Sequence, residues 1–134
     1  MNDKKKVISI WLRILICSTI INILFLIFTI INKSMIAIII EAFLCLWNLT
    51  ALGFFILTFS IQYKRFEIDD NVIEVYAGFS KHYIKVNGEI KDEYVSDFSL
   101  TDIKMSYVLN GHTITVTVTP SNYVIVKCDN ELIK

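Results

Sequence analysis

Few residues of this chain carry side chains that could do chemistry, and the most unusual is an acid inside an apolar run. Glu41 lies within "MIAIIIEAFLCLWNLTALGFFILTFSI", residues 35–61, a stretch with no other charge. Cys45 and Asn48 follow it at spacings of four and seven, so on a helix the three share one face. An earlier apolar run, residues 7–31, carries Ser18, Asn22 and Thr29 on one face of its own. A carboxyl, an amide and hydroxyls in such surroundings support two kinds of chemistry. They can hydrogen-bond one helix to another, with Glu41 protonated, or they can line a path for a proton or cation where several copies meet. One acid per chain and two helices do not make a self-contained transporter, so the second reading requires an oligomer.

The other candidates are sparse. His82 and His112 are single and each adjoins a turn, where a solvated or hairpin-edge imidazole is expected. Cys17, Cys45 and Cys128 have neither CxxC nor metal-ligand spacing, and two of them fall in apolar runs, which argues against structural disulfides. No P-loop, GxGxxG, HExxH or GxSxG occurs. Asp69-Asp70 and Asp92-Glu93 read as solvated loop acids. The expectation is a protein that is not an enzyme, with no catalytic residue, no metal ligand set and no cofactor.

The elements that must position these residues follow from composition. The chain has 134 residues, of which 54% are hydrophobic and 19% charged, with a mean hydropathy of +0.57. Its zero net charge is a cancellation. Residues 1–63 hold five bases (Lys4, Lys5, Lys6, Arg13, Lys33) against Asp3 and Glu41, and residues 64–134 hold eight bases against eleven acids. The polar half is too acidic to grip nucleic acid. Residues 7–31 and 35–61 each exceed the roughly 20 apolar residues that cross about 30 Å of hydrocarbon as a helix. A strand of such length is far outside the usual range. Only Asn32-Lys33-Ser34 separates them, which predicts a tight antiparallel hairpin in a domain covering residues 1–63. The first run is too long for a cleaved leader and lacks a small-x-small site.

Folding that hairpin about Lys33 sets Ser18 opposite Asn48, brings Asn22 near Leu44 and Cys45, and puts Glu41 opposite Phe25, one turn from Asn22 or Thr29. Arg13 can snorkel to the interface. Lys4–Lys6 and Lys64-Arg65 flank the pair, and only Lys33 lies between, so the positive-inside rule puts both termini in the cytoplasm of a multi-pass cell-membrane protein. Trp11 and Tyr63 stand where interfacial anchors belong.

Gln62–Arg65 reads as the join to a cytosolic antiparallel β domain, residues 64–134. There the pattern changes to a period of two. In "TDIKMSYVLNGHTITVTVT", residues 101–119, Asn110-Gly111 suits a two-residue type I′ turn. Folding about it pairs Leu109 with His112, Tyr107 with Ile114, Met105 with Val116 and Ile103 with Val118 on one apolar face, leaving the threonines on the other. The same fold about Asn87-Gly88 fails in part, since Ile84 meets Lys91; this predicts a sheet edge or a slipped register. Residues 72–77, 122–129 and the C-terminal "ELIK" supply further strands. Six or seven short strands predict a small sandwich or half-open barrel.

"EVYAGFSKHYIKVNGEIKDE" resembles the cytosolic β-domain of uncharacterised small bacterial two-helix membrane proteins. The strand–NG–strand arrangement followed by "VKCDNELI" is distantly similar to the β-sandwich of Fas apoptotic inhibitory molecule proteins, over about residues 72–133. These resemblances imply a fold and no catalytic residues. Two membrane helices followed by a small β-barrel are also similar in outline to bacterial anti-phage effectors that sense cyclic nucleotides, although this β part is short for such a pocket.

The resulting expectation is a membrane-anchored, non-enzymatic module whose β domain recognises a protein or peptide, as immunity or regulatory proteins do. Tyr76, Phe79, His82, Tyr83 and Tyr94 would form the contact patch, with core packing as the alternative use of these rings. The second class is a ligand-sensing effector that oligomerises through its helices and permeabilises the membrane. The expected partners are the lipid bilayer and either a protein or further copies of the chain.

Overall fold

The computed structural model describes residues 2–79, 81–95 and 101–133. The chain divides into two units, Met1–Phe59 and Ser60–Lys134.

In the first unit, α1 spans Asp3–Asn32 and α2 spans Met35–Leu57, followed by a 3-10 turn, Thr58–Ser60. The α1 helix begins four residues before the apolar run because Asn2 caps it, its side-chain oxygen accepting from the Lys5 N–H at 2.8 Å. It stops at Lys33, which adopts the left-handed conformation (φ 48°) and donates to the Thr29 carbonyl. The α2 helix ends a turn short of the expected Ile61. Both helices are long and apolar enough to cross a membrane. Their burial is the inverse of that in a water-soluble helical pair. The buried residues are Ser18 and Thr29 on α1 and Ala37, Glu41 and Ala51 on α2, all small or polar, whereas large side chains such as Leu24, Phe43 and Trp47 point outward. Small and polar residues between helices with apolar residues around them is the arrangement that lipid selects.

The described residues of the second unit form eight strands in two four-stranded antiparallel sheets. Strands β1 (Gln62–Ile68), β2 (Asn71–Ala77), β3 (Lys81–Val86) and β4 (Glu89–Val95) follow one another across the first sheet. Strands β5 (Ile103–Leu109), β6 (His112–Val118), β7 (Val124–Cys128) and β8 (Glu131–Leu132) do so across the second. Neither sheet closes, so the unit is an open sandwich and not a barrel. Ile73, Val75, Ala77, Ile84 and Val86 from one sheet meet Met105, Ile114, Val116, Val118, Val124 and Val126 from the other in one core.

Among the described residues, four of the connections are two-residue turns with positive φ at both positions: Asp69-Asp70, Asn87-Gly88, Asn110-Gly111 and Asp129-Asn130. That is the type I′ geometry, whose twist matches the flanking strands. The β5–β6 register is the expected one at every pair from Leu109↔His112 to Ile103↔Val118.

Two expectations are corrected, and the expected slipped register at a sheet edge is found. Gln62–Arg65 is not a join but the first half of β1, paired with Glu74–Ala77. Tyr63 is accordingly a strand residue whose hydroxyl donates to Glu74. Residues 122 and 123 precede β7 instead of belonging to it, Asn122 being left-handed at φ 62°. The awkward second hairpin is explained by a bulge. Lys85 pairs with Ile90, but Ile84 pairs with Asp92, so Lys91 is an extra residue on β4, which is also a sheet edge. Beyond the bulge, His82 faces Tyr94, and Tyr94 packs against the core.

Candidate functional site

The polar residues of the two helices meet along a seam. The Asn48 amide donates to Ser18 Oγ at 3.0 Å and to Thr19 Oγ1 at 2.9 Å. One turn further along, the Asn22 amide reaches Cys45 Sγ at 3.5 Å, and the Cys45 thiol reaches Glu41 Oε1 at 3.6 Å. Beyond that, Thr29 Oγ1 donates to the Phe25 carbonyl at 2.9 Å and lies 3.5 Å from the Ala37 carbonyl. All five residues expected in the seam (Ser18, Asn22, Thr29, Glu41 and Asn48) are in it. Thr19 is a member that face periodicity does not mark: it sits beside Ser18 and shares Asn48. The Glu41 side chain is 7% exposed, and its second oxygen, Oε2, has no hydrogen-bond partner among the described residues.

The expected aromatic patch divides between the two faces of the first sheet. Tyr76 and Tyr83 are cross-strand partners and stack at 4.8 Å between centroids and 11° between planes, both buried. Gly78 leaves room for this arrangement, since a Cβ there would come within 2.8 Å of the Tyr76 ring. The Lys81 and Lys85 ammonium groups lie 5.6 Å and 5.3 Å from the Tyr83 ring centre, in cation–π range. On the core side, His82 stacks near Tyr94 at 6.4 Å. His82 is 3% exposed, not solvated as its place next to a turn suggested, because strand alternation turns it inward beside Ala77. Burial pushes its imidazole below the usual histidine range. Phe79 is half-buried in the β2–β3 connection. Four of the five rings thus contact one another in two stacked pairs, and three of them are buried.

Exposed apolar surface lies elsewhere in this unit. A groove of about 350 Å³ is lined by Lys64, Tyr123, Val124, Ile125, Leu132 and Ile133. Tyr123 is 64% exposed and Leu132 59%. The groove runs along β7, whose outer edge is paired by β8 only at Lys127 and Cys128, with one further bond from the Ile133 N–H to the Val126 carbonyl.

A second polar cluster gathers three turns. His112, at the start of β6, has Nδ1 2.7 Å from Asp129 Oδ2 and Nε2 3.1 Å from Asp69 Oδ2. Asp129 Oδ1 accepts from the Thr113 N–H at 2.9 Å, and the Asp129 N–H donates to the Thr113 carbonyl at 2.9 Å. Cys128 Sγ lies 4.0 Å from Asp129 Oδ2. The hydrogen bond to Asp129 holds the His112 imidazole above the usual histidine range, and the same bond, with that from Thr113, holds Asp129 below the usual carboxylate range. Partial burial, followed by the charges of Asp129, Glu131 and Asp69, pushes the Cys128 thiol up. Sequence spacing gave no signal for this cluster, because its members lie on separate turns.

No protein-family model, no curated protein and no solved structure matches this chain. The resemblances to small bacterial two-helix proteins and to the Fas-inhibitory sandwich therefore rest on hairpin motifs alone. What stands is the architecture: two apolar helices followed by two antiparallel sheets.

Proposed function

We propose that this chain is a membrane-anchored, non-enzymatic binding protein whose β-sandwich takes up an extended segment of a protein partner along β7. The single observation that carries this reading is the groove beside that strand. Its apolar rim (Tyr123, Leu132) is the kind of surface that a water-soluble unit seldom leaves uncovered. The strand next to it is paired over only part of its length, and an added strand would supply main-chain hydrogen bonds there while its alternate side chains enter the groove. The inverted burial of the helices supports insertion in lipid, and the basic residues Lys4–Lys6 and Lys64-Arg65 favour both termini in the cytoplasm. The Tyr76, Tyr83 and His82 rings serve packing in this reading, and recognition moves to Tyr123, Ile125 and Leu132.

The test is photo-crosslinking in intact cells, with a photoreactive residue at position 123, 132 or 108; Val108 is equally exposed but lies on β5. The reading expects one adduct of the same mass from positions 123 and 132, absent at 108 and abolished by Ile125→Asp. Equal adducts at all three positions, or none, would remove it. An adduct of twice the chain's mass would make the partner a second copy.

A second reading is favoured by Glu41 Oε2, a buried carboxyl oxygen without a partner among the described residues: the helices assemble into a permeabilising effector. Induced expression of wild type, Glu41→Leu and Asn48→Leu, with membrane potential followed, separates the two. Depolarisation by wild type alone supports the effector, and no depolarisation by any of them rejects it.

A further inference from the structure

We propose that His112, Cys128 and Asp129 form a binding site for one divalent transition-metal ion, zinc above others, with His112 Nδ1, Cys128 Sγ and an Asp129 carboxylate oxygen as ligands. The three donor atoms already lie within 4.8 Å of one another. With bonds of about 2.0 Å to nitrogen or oxygen and about 2.3 Å to sulfur, a tetrahedral zinc site separates its ligand atoms by roughly 3.3–3.7 Å. Nδ1 and Oδ2 stand 2.7 Å apart and Sγ and Oδ2 4.0 Å apart. Shifts of about half an ångström bring these two separations to tetrahedral spacing, and the third, no more than 4.8 Å, closes with a shift of at most a little over about 1 Å, within the reach of half-buried and exposed side chains at strand ends.

Three further features make this more than a chance meeting of polar groups. Asp129 is held in place: its backbone is left-handed at φ 50°, its N–H and Oδ1 are both bonded to Thr113, and only Oδ2 is aimed at His112. His112 is oriented from behind, because Asp69 accepts at Nε2 on the far side of the ring. A carboxylate at that position fixes the tautomer that leaves Nδ1 free to ligate, the usual support for a metal-bound histidine. The donor set also selects the ion. A thiolate with an imidazole suits zinc or cobalt and disfavours magnesium and calcium.

The protons balance. Without metal, a proton sits between Nδ1 and the Asp129 carboxylate and another on Cys128. The ion displaces both to solvent, so its two positive charges replace two protons. Three protein ligands leave the fourth position to water.

The experiment uses the untagged full chain in detergent micelles, stripped with a chelator and titrated with cobalt(II). Wild type is expected to take up one equivalent and to develop a thiolate-to-cobalt charge-transfer band that zinc then bleaches. Cys128→Ser is expected to lose the band, and Asp69→Asn to keep it while binding about 10–100-fold more weakly. In wild type alone, zinc is expected to protect Cys128 from alkylation, read by mass spectrometry, which needs no variant to fold. Absence of the band in wild type, its survival in Cys128→Ser, or alkylation of Cys128 unchanged by zinc would each overturn the site.

Discussion

Asn48 donates one side-chain hydrogen bond to Ser18 across the helical hairpin, at 3.0 Å, while Ser18 itself donates to the Leu15 carbonyl at 3.0 Å. Thr19, the second acceptor of Asn48, likewise donates to Leu15 at 2.8 Å. Both hydroxyls therefore keep a partner when Asn48 is removed. Asn48→Leu is expected to cost only about 0.6–1.7 kcal/mol, the range of such bonds within bilayers. Glu41→Leu, which deletes a buried oxygen with no partner among the described residues, is expected to leave the hairpin as stable or to stabilise it. Unfolding of both variants in mixed micelles checks the contrast, and a large loss from Glu41→Leu would show that Oε2 is satisfied in the membrane.

In the sandwich, Ile114 is fully buried while its neighbour Thr115 faces outward. Ile114→Ala is expected to lose about 2–5 kcal/mol by removing packed methyl groups and leaving a cavity. Thr115→Ala is expected to stay within about 0.5 kcal/mol of wild type. Thermal unfolding followed by near-ultraviolet circular dichroism measures both.

Gly88, Gly111 and Gly53 each have open space where an alanine methyl group would sit, but the first two have φ of 85° and 82°. Alanine at either turn is expected to cost about 1–2 kcal/mol from the left-handed backbone alone. Gly53→Ala, in a helix, is expected to cost nothing. Equal effects at all three would contradict the type I′ assignment.

The pH response follows from His82. Its folded-state pKa lies below the ordinary value of 6.5 because burial disfavours the imidazolium. Between the two values the unfolded chain binds the extra proton. Stability conferred by the neutral ring is therefore complete above 6.5 and is lost as pH falls through the folded-state value. His82→Phe is expected to flatten this part of the profile, measured as melting temperature from neutral to mildly acidic solution.

The parts of this architecture that a reader of the sequence can recover are those governed by local rules. The three residues between the helices leave one register for the hairpin, so Ser18 and Asn48 could be paired without coordinates. Asn110-Gly111 and strict alternation did the same for β5 and β6. The rest was hidden for stated reasons. Four polar residues directly after the second apolar run made Gln62–Arg65 look like a plain join, though its period-two pairing with β2 is that of a strand. One extra residue, Lys91, reversed the faces of the second hairpin beyond it. Asp69, His112 and Asp129 meet only because three turns gather at one end of the sandwich, and no spacing rule encodes that.

The kink at Lys91 has a consequence for crowding. Molecules tethered to one bilayer collide far more often than molecules free in solution, and an unprotected sheet border would let them zip together into fibrils. Here the outermost ribbon of the first sheet is bent by its surplus residue and studded with Glu89, Lys91, Asp92 and Glu93, so a neighbour's strand finds neither a straight track nor a neutral one. The β4 border of the first sheet is therefore a poor template on which a neighbouring strand could extend the sheet.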